Sequence, residues 1–236
     1  SAISRSVFRG NEARIKHGGA LALANDAPVR IERSIFVANR ARNAGAIYAD
    51  GSILAPGLVV TNALIADNEA IEDSSELIGV GGLLSVGRTL LLSFSTIARN
   101  RTHAPSAAGL YDPFSFTTIT HTAITDHANG NDCINASGSS AGFNLSSDGS
   151  CHFDHPDDLE PASAVISGFG AFLSEELAAL PSFWSPVIDG GNPSANPLDA
   201  GGTAICIDAG GFEVAVDLLG NPRAGNGGGT GGHHLL

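Results

Sequence analysis

The hexapeptide SVFRGN at residues 6–11 returns 28 residues later as SIFVAN at residues 34–39. Each copy is followed by glycine and a short apolar stretch, GGALAL at 18–23 and AGAIYA at 44–49. A phrase repeated at a fixed spacing is typical of repeat architectures, in which each copy builds one structural unit. The Asn that ends the phrase therefore serves as the reference point for aligning the rest of the chain.

Three further segments fit this alignment: ALIADN at 63–68, STIARN at 95–100 and ITDHAN at 124–129. The five anchoring residues are Asn11, Asn39, Asn68, Asn100 and Asn129. Their spacings are 28, 29, 32 and 29 residues. Each unit contains about three short stretches in which apolar residues alternate. These stretches are too short to show the 3.6-residue period that a helix maintains over about ten residues or more.

Three short strands in a unit of about 29 residues predict an all-β fold, a right-handed single-stranded parallel β-helix, whose coils stack about 4.8 Å apart. The Asn residues would form a buried ladder, each amide bonding along the axis. The alternating apolar residues predicted to stack inside the wall are Val7, Ile35, Leu64, Ile97 and Ile124. Two alternatives fit less well, because the leucine-rich-repeat consensus is absent and a β-sandwich would not need Asn at constant spacing.

The regular pattern breaks after Asn129, and three regions are predicted. Residues 1–129 form the β-helix coils, residues 130–224 form loop-rich final coils and an irregular C-terminal cap, and residues 225–236 form a flexible Gly-rich tail. Within the cap, residues 172–184 are the best helical candidate. A cap is expected because terminal coils otherwise expose unpaired strand edges.

Composition limits the classes of partner. A hydrophobic fraction of 43% with only 15% charged residues indicates a folded chain. The net charge of -12 opposes binding to phosphate backbones, so no nucleic-acid partner is expected. The nearest basic cluster consists of Arg30, Arg33, Arg40 and Arg42. Glu32 interrupts that cluster. The most apolar stretch, 77–98, contains Arg88 and four glycines, so no membrane span is expected.

Cys133 and Cys151 bracket a loop rich in Asn, Gly and Ser. Their spacing suits a disulfide, worth about 3 kcal/mol for a loop of this size, and two buried thiols are the alternative. A disulfide favours an oxidising compartment, so we expect a secreted or cell-surface protein. Cys206 is then left over, either as a free thiol or with a partner outside this chain.

Catalysis on a β-helix requires carboxylates that converge on one exposed sheet. Asp67 and Asp126 both lie near an anchoring Asn, but two coils apart with Ala98 between them. Twice the strand spacing would separate them by about 10 Å. We interpret both as solvated turn acids, and we predict no catalytic and no cofactor-binding residues.

A second polar cluster directly follows Cys151. Its acidic members are Asp154, Asp157 and Asp158, and its histidines are His152 and His155. The spacing matches no known metal motif, although loop carbonyls and carboxylates are the ligands that Ca²⁺ prefers. A Ca²⁺ site at Asp154, Asp157 and Asp158 is therefore the one metal hypothesis, and no other cofactor is expected.

Three segments carry a family resemblance: GFNLSSDGSCHF at 142–153, SPVIDGG at 185–191 and DLLGNPR at 217–223. Together they resemble the end of bacterial secreted right-handed parallel β-helix proteins with a choice-of-anchor C-terminal region. The SxFxxN coils are similar to those of polymorphic outer-membrane proteins and autotransporter passengers. The resemblance implies an exported or cell-surface bacterial protein and no defined activity. In that family a second Cys follows DxxGxPR, whereas GNGGGTGG follows here, so Cys206 lacks the implied partner.

These observations favour a noncatalytic extracellular scaffold, an adhesion or surface-structure module whose partner is a glycan or the surface of a host or neighbouring cell. The first alternative is a polysaccharide lyase, hydrolase or carbohydrate-binding module, which a groove of acids and cations across adjacent coils would favour. The second alternative is a self-assembling fibre subunit. The chain begins at Ser1 inside the repeat pattern, so its first coil is expected to expose an edge for self-association.

Overall fold

The protein is an all-β solenoid in which every strand pair is parallel. The computed structural model describes residues 1–24, 27–51, 57–71, 79–114, 116–134 and 139–160. The predicted stack of parallel coils is confirmed within these ranges. The helical candidate at 172–184, Cys206 and the tail at 225–236 lie outside the described residues.

Sheet A is the first wall of each coil. Its strands, in stacking order, are β1 (Ala2–Ser4), β5 (Val29–Glu32), β9 (Leu58–Thr61), β13 (Leu90–Ser93), β16 (Thr117–Thr120) and β19 (Ser139–Ser140). Alternation along β5 places Ile31 inside and Arg30 outside. This period of two is the reason why apolar residues alternate in the sequence.

Sheet B is the second wall, and its strands are shorter. They are β2 (Val7–Arg9), β6 (Ile35–Val37), β10 (Leu64–Ala66), β14 (Thr96–Ala98), β17 (Ala123–Thr125) and β20 (Leu145–Ser146). The SxFxxN phrase contains the sheet B strand of its coil. The repeated hexapeptide therefore marks one wall of the solenoid and the corners on either side of it.

Sheet C closes each coil with two segments. The segments that follow sheet B are β3 (Glu12–Ala13), β7 (Arg40–Ala41) and β11 (Glu69–Ala70). The segments that complete the coil are β4 (Leu21–Ala24), β8 (Ile47–Asp50) and β12 (Leu83–Val86). Strand β15 (Arg101–Tyr111) runs through both positions, and β18 (Ala128–Ile134) pairs with it. Strands β18–β20 extend the sheets past residue 129, so the described part of 130–160 belongs to the stack.

Two corners, each made by one residue with left-handed backbone, flank sheet B. The first corner carries Arg5, Arg33, Asn62, Phe94, His121 and Phe143. The second corner carries Gly10, Ala38, Asp67, Arg99 and Asp126. Left-handed φ costs a residue with a side chain about 1–2 kcal/mol. Because nearly all these residues have side chains, other interactions at the corners must offset a repeated backbone cost.

The predicted Asn ladder follows the second corner. Asn39 donates both its backbone N–H and its Nδ2–H to Asn68 Oδ1, at 2.9 Å each. The same pair of bonds joins Asn11 to Asn39 and Asn68 to Asn100. Asn68 Nδ2 also donates to the Phe36 carbonyl of the preceding coil, at 3.0 Å. Each buried amide is thereby bonded to the coils on both sides.

The next rung of this ladder is His127, and the prediction of Asn129 is wrong. The backbone N–H of Asn100 donates to His127 Nδ1 at 3.1 Å. Strand register pairs Ala98 with Thr125, so the residue two positions later, His127, continues the row. Asn129 lies exposed in β18. An imidazole nitrogen takes the place of an amide oxygen as the acceptor. An alignment that requires Asn at this position therefore shifts the coil by two residues.

A second polar row follows the first corner. Its members are Ser6, Ser34, Ser95, Thr122 and Asn144, with Ala63 at the one position of the row that has no side-chain oxygen. Backbone N–H groups again donate to side-chain oxygens of the next coil, from Ser6 to Ser34 Oγ at 3.2 Å and from Ala63 to Ser95 Oγ at 3.1 Å. The Ser that opens the repeated phrase therefore joins adjacent coils by the same kind of hydrogen bond as the Asn that closes it.

The interior row of sheet B differs from the predicted one. It consists of Phe8, Phe36, Ile65, Ile97 and Ile124. Ile97 and Ile124 are as predicted, but Val7, Ile35 and Leu64 pair in the adjacent row on the other face of the strands, where Val7 is 62% exposed and Leu64 is 1% exposed. A three-residue strand between two corners has only its central side chain pointing inward. The prediction was wrong because it counted from the corner instead of from the strand centre.

The predicted disulfide between Cys133 and Cys151 is confirmed, with a Cα–Cα distance of 4.7 Å. Each cysteine is only 1% exposed, and Phe153 packs against the same cluster. Cys133 continues the interior row of sheet C, which consists of Leu21, Ile47, Leu83 and Leu110. The disulfide is thus part of the core and not only a clasp on a surface loop.

The glycines after the Asn rungs mark a close approach between adjacent coils. A Cβ on Gly45 would lie 2.3 Å from the Gly81 carbonyl oxygen and 2.7 Å from the Glu69 nitrogen. A Cβ on Gly19 would lie 2.2 Å from the Gly45 oxygen. These positions need glycine because the backbone of the next coil occupies the space of a side chain.

We expect Asn68→Ala to lower the free energy of unfolding by about 1–3 kcal/mol, because it leaves two buried donors of Asn39 without their acceptor. The matched control is Asn11→Ala, because Asn11 lies exposed at the first rung and only donates to Asn39. Urea unfolding followed by circular dichroism measures both. Equal effects of the two substitutions would contradict a buried ladder.

We expect Gly45→Ala to cost about 1–3 kcal/mol through overpacking. Gly10→Ala is the control, since Gly10 has a φ of 65° and no atom within 4 Å of its would-be Cβ. In that control the free energy of unfolding should fall only by the cost of placing Ala in a left-handed backbone conformation, about 1 kcal/mol. Thermal unfolding of both variants checks the comparison, and a milder effect at Gly45 than at Gly10 would overturn the steric explanation.

Candidate functional site

A charged surface lies at the second corner, where sheet B turns into sheet C; we call it the charged corner. Some of its side chains form two rows along the solenoid axis. The first row contains Asp67, Arg99 and Asp126, and the second contains Glu12, Arg40, Glu69 and Arg101. Arg14, Arg42 and His103 each follow a member of the second row by two residues, and the Lys16 carbonyl accepts a hydrogen bond from the Arg42 N–H. Neighbouring members of a row lie one strand spacing apart, about 4.8 Å.

Strand register creates the second row. The residue directly after each ladder Asn is Glu12, Arg40, Glu69 or Arg101, and these four are paired in register across β3, β7, β11 and β15. Their charges alternate in sign from coil to coil, which is the favourable arrangement for directly opposed residues. The signal was present in the sequence as the pairs NE, NR, NE and NR, but only the register places them in one row.

Glu69 is the centre of the charged corner. Its Oε2 lies 3.1 Å from Arg40 Nε and 3.1 Å from Arg101 NH2, and its Oε1 lies 2.8 Å from His103 Nε2. The Glu69 side chain is 12% exposed, whereas Arg40, Arg101 and His103 are about half exposed, at 48%, 57% and 50%. One partly buried carboxylate thus anchors two arginines and a histidine that also face solvent.

Electrostatics keep Glu69 ionised. Burial alone would raise the pKa of Glu69, but hydrogen bonds from His103 and Arg101 and the charges of Arg101 and Arg40 hold it below its ordinary value. A general acid needs the opposite, a carboxyl group whose pKa is raised so that it carries a proton near neutral pH. Glu69 is therefore suited to hold the arginines in place and unsuited to donate a proton.

The two acids proposed as turn residues lie in the first row. Arg99 NH2 donates to Asp67 Oδ2 at 2.6 Å, and Asp67 has a side chain that is 36% exposed. Arg99, and not Ala98, lies between Asp67 and Asp126, because Ala66, Ala98 and Thr125 share the preceding row. The predicted solvated acid Asp67 is thus ion-paired, while Asp126 is exposed.

A second group of titratable residues is buried beneath this corner. His127 has a side chain 1% exposed, and its Nε2 lies 4.0 Å from Oδ1 of Asp132, which is 2% exposed. Asp132 Oδ2 accepts hydrogen bonds from Ser146 Oγ at 3.1 Å and Ser147 Oγ at 2.8 Å. Ring packing leaves no room for a side chain at Gly109, whose Cβ would lie 2.4 Å from His127 Nε2.

Burial moves the two pKa values in opposite directions. It lowers the pKa of His127 to about 3, with the charge of Asp148 acting the other way. It raises the pKa of Asp132 to about 6, although hydrogen bonds from Ser147 oppose the rise. Perturbed values of this size are found at active sites and in structural networks alike. Here both side chains are buried, at 1% and 2% exposed, so a polymeric substrate cannot reach them.

The acids of the predicted Ca²⁺ site lie near the end of the described chain. Asp158 Oδ2 accepts from Ser140 Oγ at 2.6 Å, and Asp158 Oδ1 accepts from the Asn144 N–H at 2.9 Å. Asp154 and Asp157 are exposed. In the part of the chain that the structure describes, no three His, Cys, Asp or Glu side chains come together as a metal site. Calcium binding stays a prediction, and Asp158 already serves to join β19 to the Asn144 corner.

No family model matches the chain, and neither a curated protein nor a solved structure matches it. Within the described ranges, no helical segment has the length and apolarity needed to cross a membrane. The resemblance to exported bacterial β-helix proteins therefore stays a prediction beside a confirmed solenoid.

We expect His127→Asn to reduce the loss of stability on acidification. In the native protein His127 stays neutral to about pH 3, whereas in the unfolded chain it takes up a proton near pH 6.5. Its contribution to stability therefore falls as pH drops from 6.5 towards 3, by on the order of 1 kcal/mol per pH unit. Asp132, whose pKa is raised, acts in the opposite direction between about pH 6 and its ordinary value.

An Asn at position 127 can accept the Asn100 N–H as the other rungs do, so the ladder is preserved while the titration of His127 is removed. Urea midpoints at pH 7.5 and pH 4.5 test this expectation. The variant should lose less stability than the native chain over that interval. Identical pH profiles for the two proteins would show that His127 is not the group responsible.

Proposed function

We propose that this chain is a noncatalytic structural module of an exported bacterial protein, which acts in adhesion or as part of a surface structure. The observation that carries this proposal is the pairing of the acids on adjacent coils. Glu69 is held by Arg40, Arg101 and His103, and Asp67 is held by Arg99. Retaining and inverting glycosidases both need one protonated acid and a second carboxylate that flank the scissile bond.

The disulfide supports a location outside the cell. Disulfides persist in oxidising compartments and are rare in the cytosol. The bond between Cys133 and Cys151 lies in the core, where it adds covalent closure to the same cluster that the interior rows build. A rigid prism of stacked coils with such a closure suits a protein that must keep its shape in the extracellular environment.

A carbohydrate-active enzyme on the same fold is the second candidate, because the charged corner does place acids and cations on adjacent coils. Two observations count against it. The pKa of Glu69 is lowered, which disfavours proton donation. The acid whose pKa is raised to about 6, Asp132, is buried.

Self-assembly is the third candidate, because β1, β2 and β4 are edge strands within the described residues. Edges of this kind can pair with another chain. Sedimentation at several protein concentrations distinguishes a monomer from a growing fibre, and a concentration-independent monomer would rule out this candidate.

We expect no shortening of neutral or acidic polysaccharides after prolonged incubation with the intact chain, since Glu69, the central acid of the charged corner, has a lowered pKa and is unsuited to protonate a leaving group. Size-exclusion chromatography of the polymers and an assay for new reducing ends check this. If a polymer is cleaved, and Glu69→Gln abolishes the cleavage, the noncatalytic proposal fails in favour of an enzyme centred on Glu69.

A further inference from the structure

The charged corner reverses the charge balance of the rest of the chain. It contains six of the 12 Lys and Arg residues but only four of the 24 Asp and Glu residues. Its six cationic residues are Arg14, Lys16, Arg40, Arg42, Arg99 and Arg101. Its four acids are Glu12, Asp67, Glu69 and Asp126. A protein with net charge -12 thus has one corner on which cations outnumber acids.

The arginines beside Glu69 are ordered but not covered. One nitrogen of each guanidinium contacts Glu69 Oε2, while about half of each Arg40 and Arg101 side chain stays in solvent. Fixing a long side chain costs rotamer entropy, and here the ion pair with Glu69 has already fixed two of them. An arriving anion therefore meets guanidinium groups that are already in position, which lowers the cost of binding.

The order of charges along the second row indicates what kind of ligand can bind there. Arg40 and Arg101 lie two coils apart in one row, so their backbones are separated by about 10 Å, twice the strand spacing. Their side chains converge on Glu69 between them, and the two contacting nitrogens are close together because each lies 3.1 Å from the same Glu69 Oε2. A ligand that follows the row meets a cation, an anion and then another cation. It must carry its own anionic groups at intervals, with an uncharged, hydroxyl-rich unit opposite Glu69.

We propose that the charged corner binds a linear acidic polysaccharide along the solenoid axis, with its anionic groups on Arg40 and Arg101. Guanidinium recognises a carboxylate or sulfate through paired N–H donors. The neutral sugar between two such groups lies against Glu69 and can donate hydroxyl hydrogen bonds to exposed carboxylate oxygens such as that of Asp67. This inference rests on the proposed extracellular adhesion function and names the partner of that surface.

A nucleic acid fits the same corner poorly. Duplex DNA carries one negative charge per about 1.7 Å of its axis, so phosphates would be forced against Glu69 and Asp67. The remainder of the chain, in which acids outnumber cations, also repels a densely charged polymer over a Debye length of about 8–10 Å. A polysaccharide with widely spaced charges avoids both the contact with these acids and the repulsion by the rest of the protein.

The test uses the intact chain and a defined probe, an oligosaccharide in which glucuronate alternates with a neutral N-acetylated sugar. Calorimetric titration at low and at physiological salt gives the affinity. A neutral dextran oligosaccharide of equal length and a single-stranded DNA oligomer are the comparison ligands. We expect binding of the uronate oligomer, weakening with salt, and no binding of dextran.

The decisive comparison is between two double variants with the same change in charge. Arg40→Gln with Arg101→Gln should weaken binding at least about tenfold, since two charge-assisted contacts are lost. Arg5→Gln with Arg30→Gln, on the first corner and sheet A, should weaken it less than about twofold by screening alone. Arg101→Gln alone, in which Glu69 keeps Arg40 and His103, gives an intermediate loss and guards against misfolding of the double variant.

Three results would overturn the inference: no binding of the uronate oligomer, equal losses in both double variants, or tighter binding of DNA than of the oligomer. These outcomes are separable from failure of the proposed function. Sizing the oligosaccharide after the titration tests for cleavage, and cleavage would refute the noncatalytic proposal while leaving the binding surface in place. Absent binding without cleavage would refute only the polysaccharide partner.

Discussion

The stack depends on one interaction, a backbone N–H at a corner that donates to a side-chain acceptor in the next coil. Parallel strands bond to each other along the flat walls, and left-handed corner residues such as Ala38 and Asp67 still donate to backbone carbonyls, but the residues directly after them do not. The Asn row and the Ser row supply side-chain acceptors at these positions, with N···O distances of 2.9–3.2 Å. Without these acceptors each coil would bury unpaired donors at its corners, and the cost would recur in every repeat.

Other features of the fold follow from those two corners. A strand of three residues between them has a single side chain that points into the solenoid, and these side chains form the row from Phe8 to Ile124. The chain must then return beside its own earlier path, and glycine at 45 lets the backbone of the next coil pass at contact distance. The sharp outward edge of the second corner is also where charged side chains can stand in rows without entering the core.

The period of the repeat, the parallel stack, four of the five Asn rungs and the disulfide could be predicted from the sequence, because each leaves a residue of fixed type at a fixed spacing. The His127 rung could not be predicted. A neutral imidazole can accept the same hydrogen bond as an amide, but the residue type differs, so an alignment on Asn does not find it. Three of the five inward residues, Phe8, Phe36 and Ile65, were missed by one position, because the alternation is interrupted at corners that no residue type marks. The cluster around Glu69 depends on register across coils, and Arg40 and Arg101 are 61 positions apart in the chain.

The direction of the corner bonds has a further consequence. In both rows the N–H belongs to the earlier coil and the side-chain acceptor to the later one. A plane drawn between any two coils therefore separates unlike faces, one rich in backbone donors and the other in side-chain acceptors. The stack therefore has a direction along its axis. Continuing the same corner bonds from one prism into another requires a head-to-tail arrangement, because each N–H must meet a side-chain acceptor of the following coil.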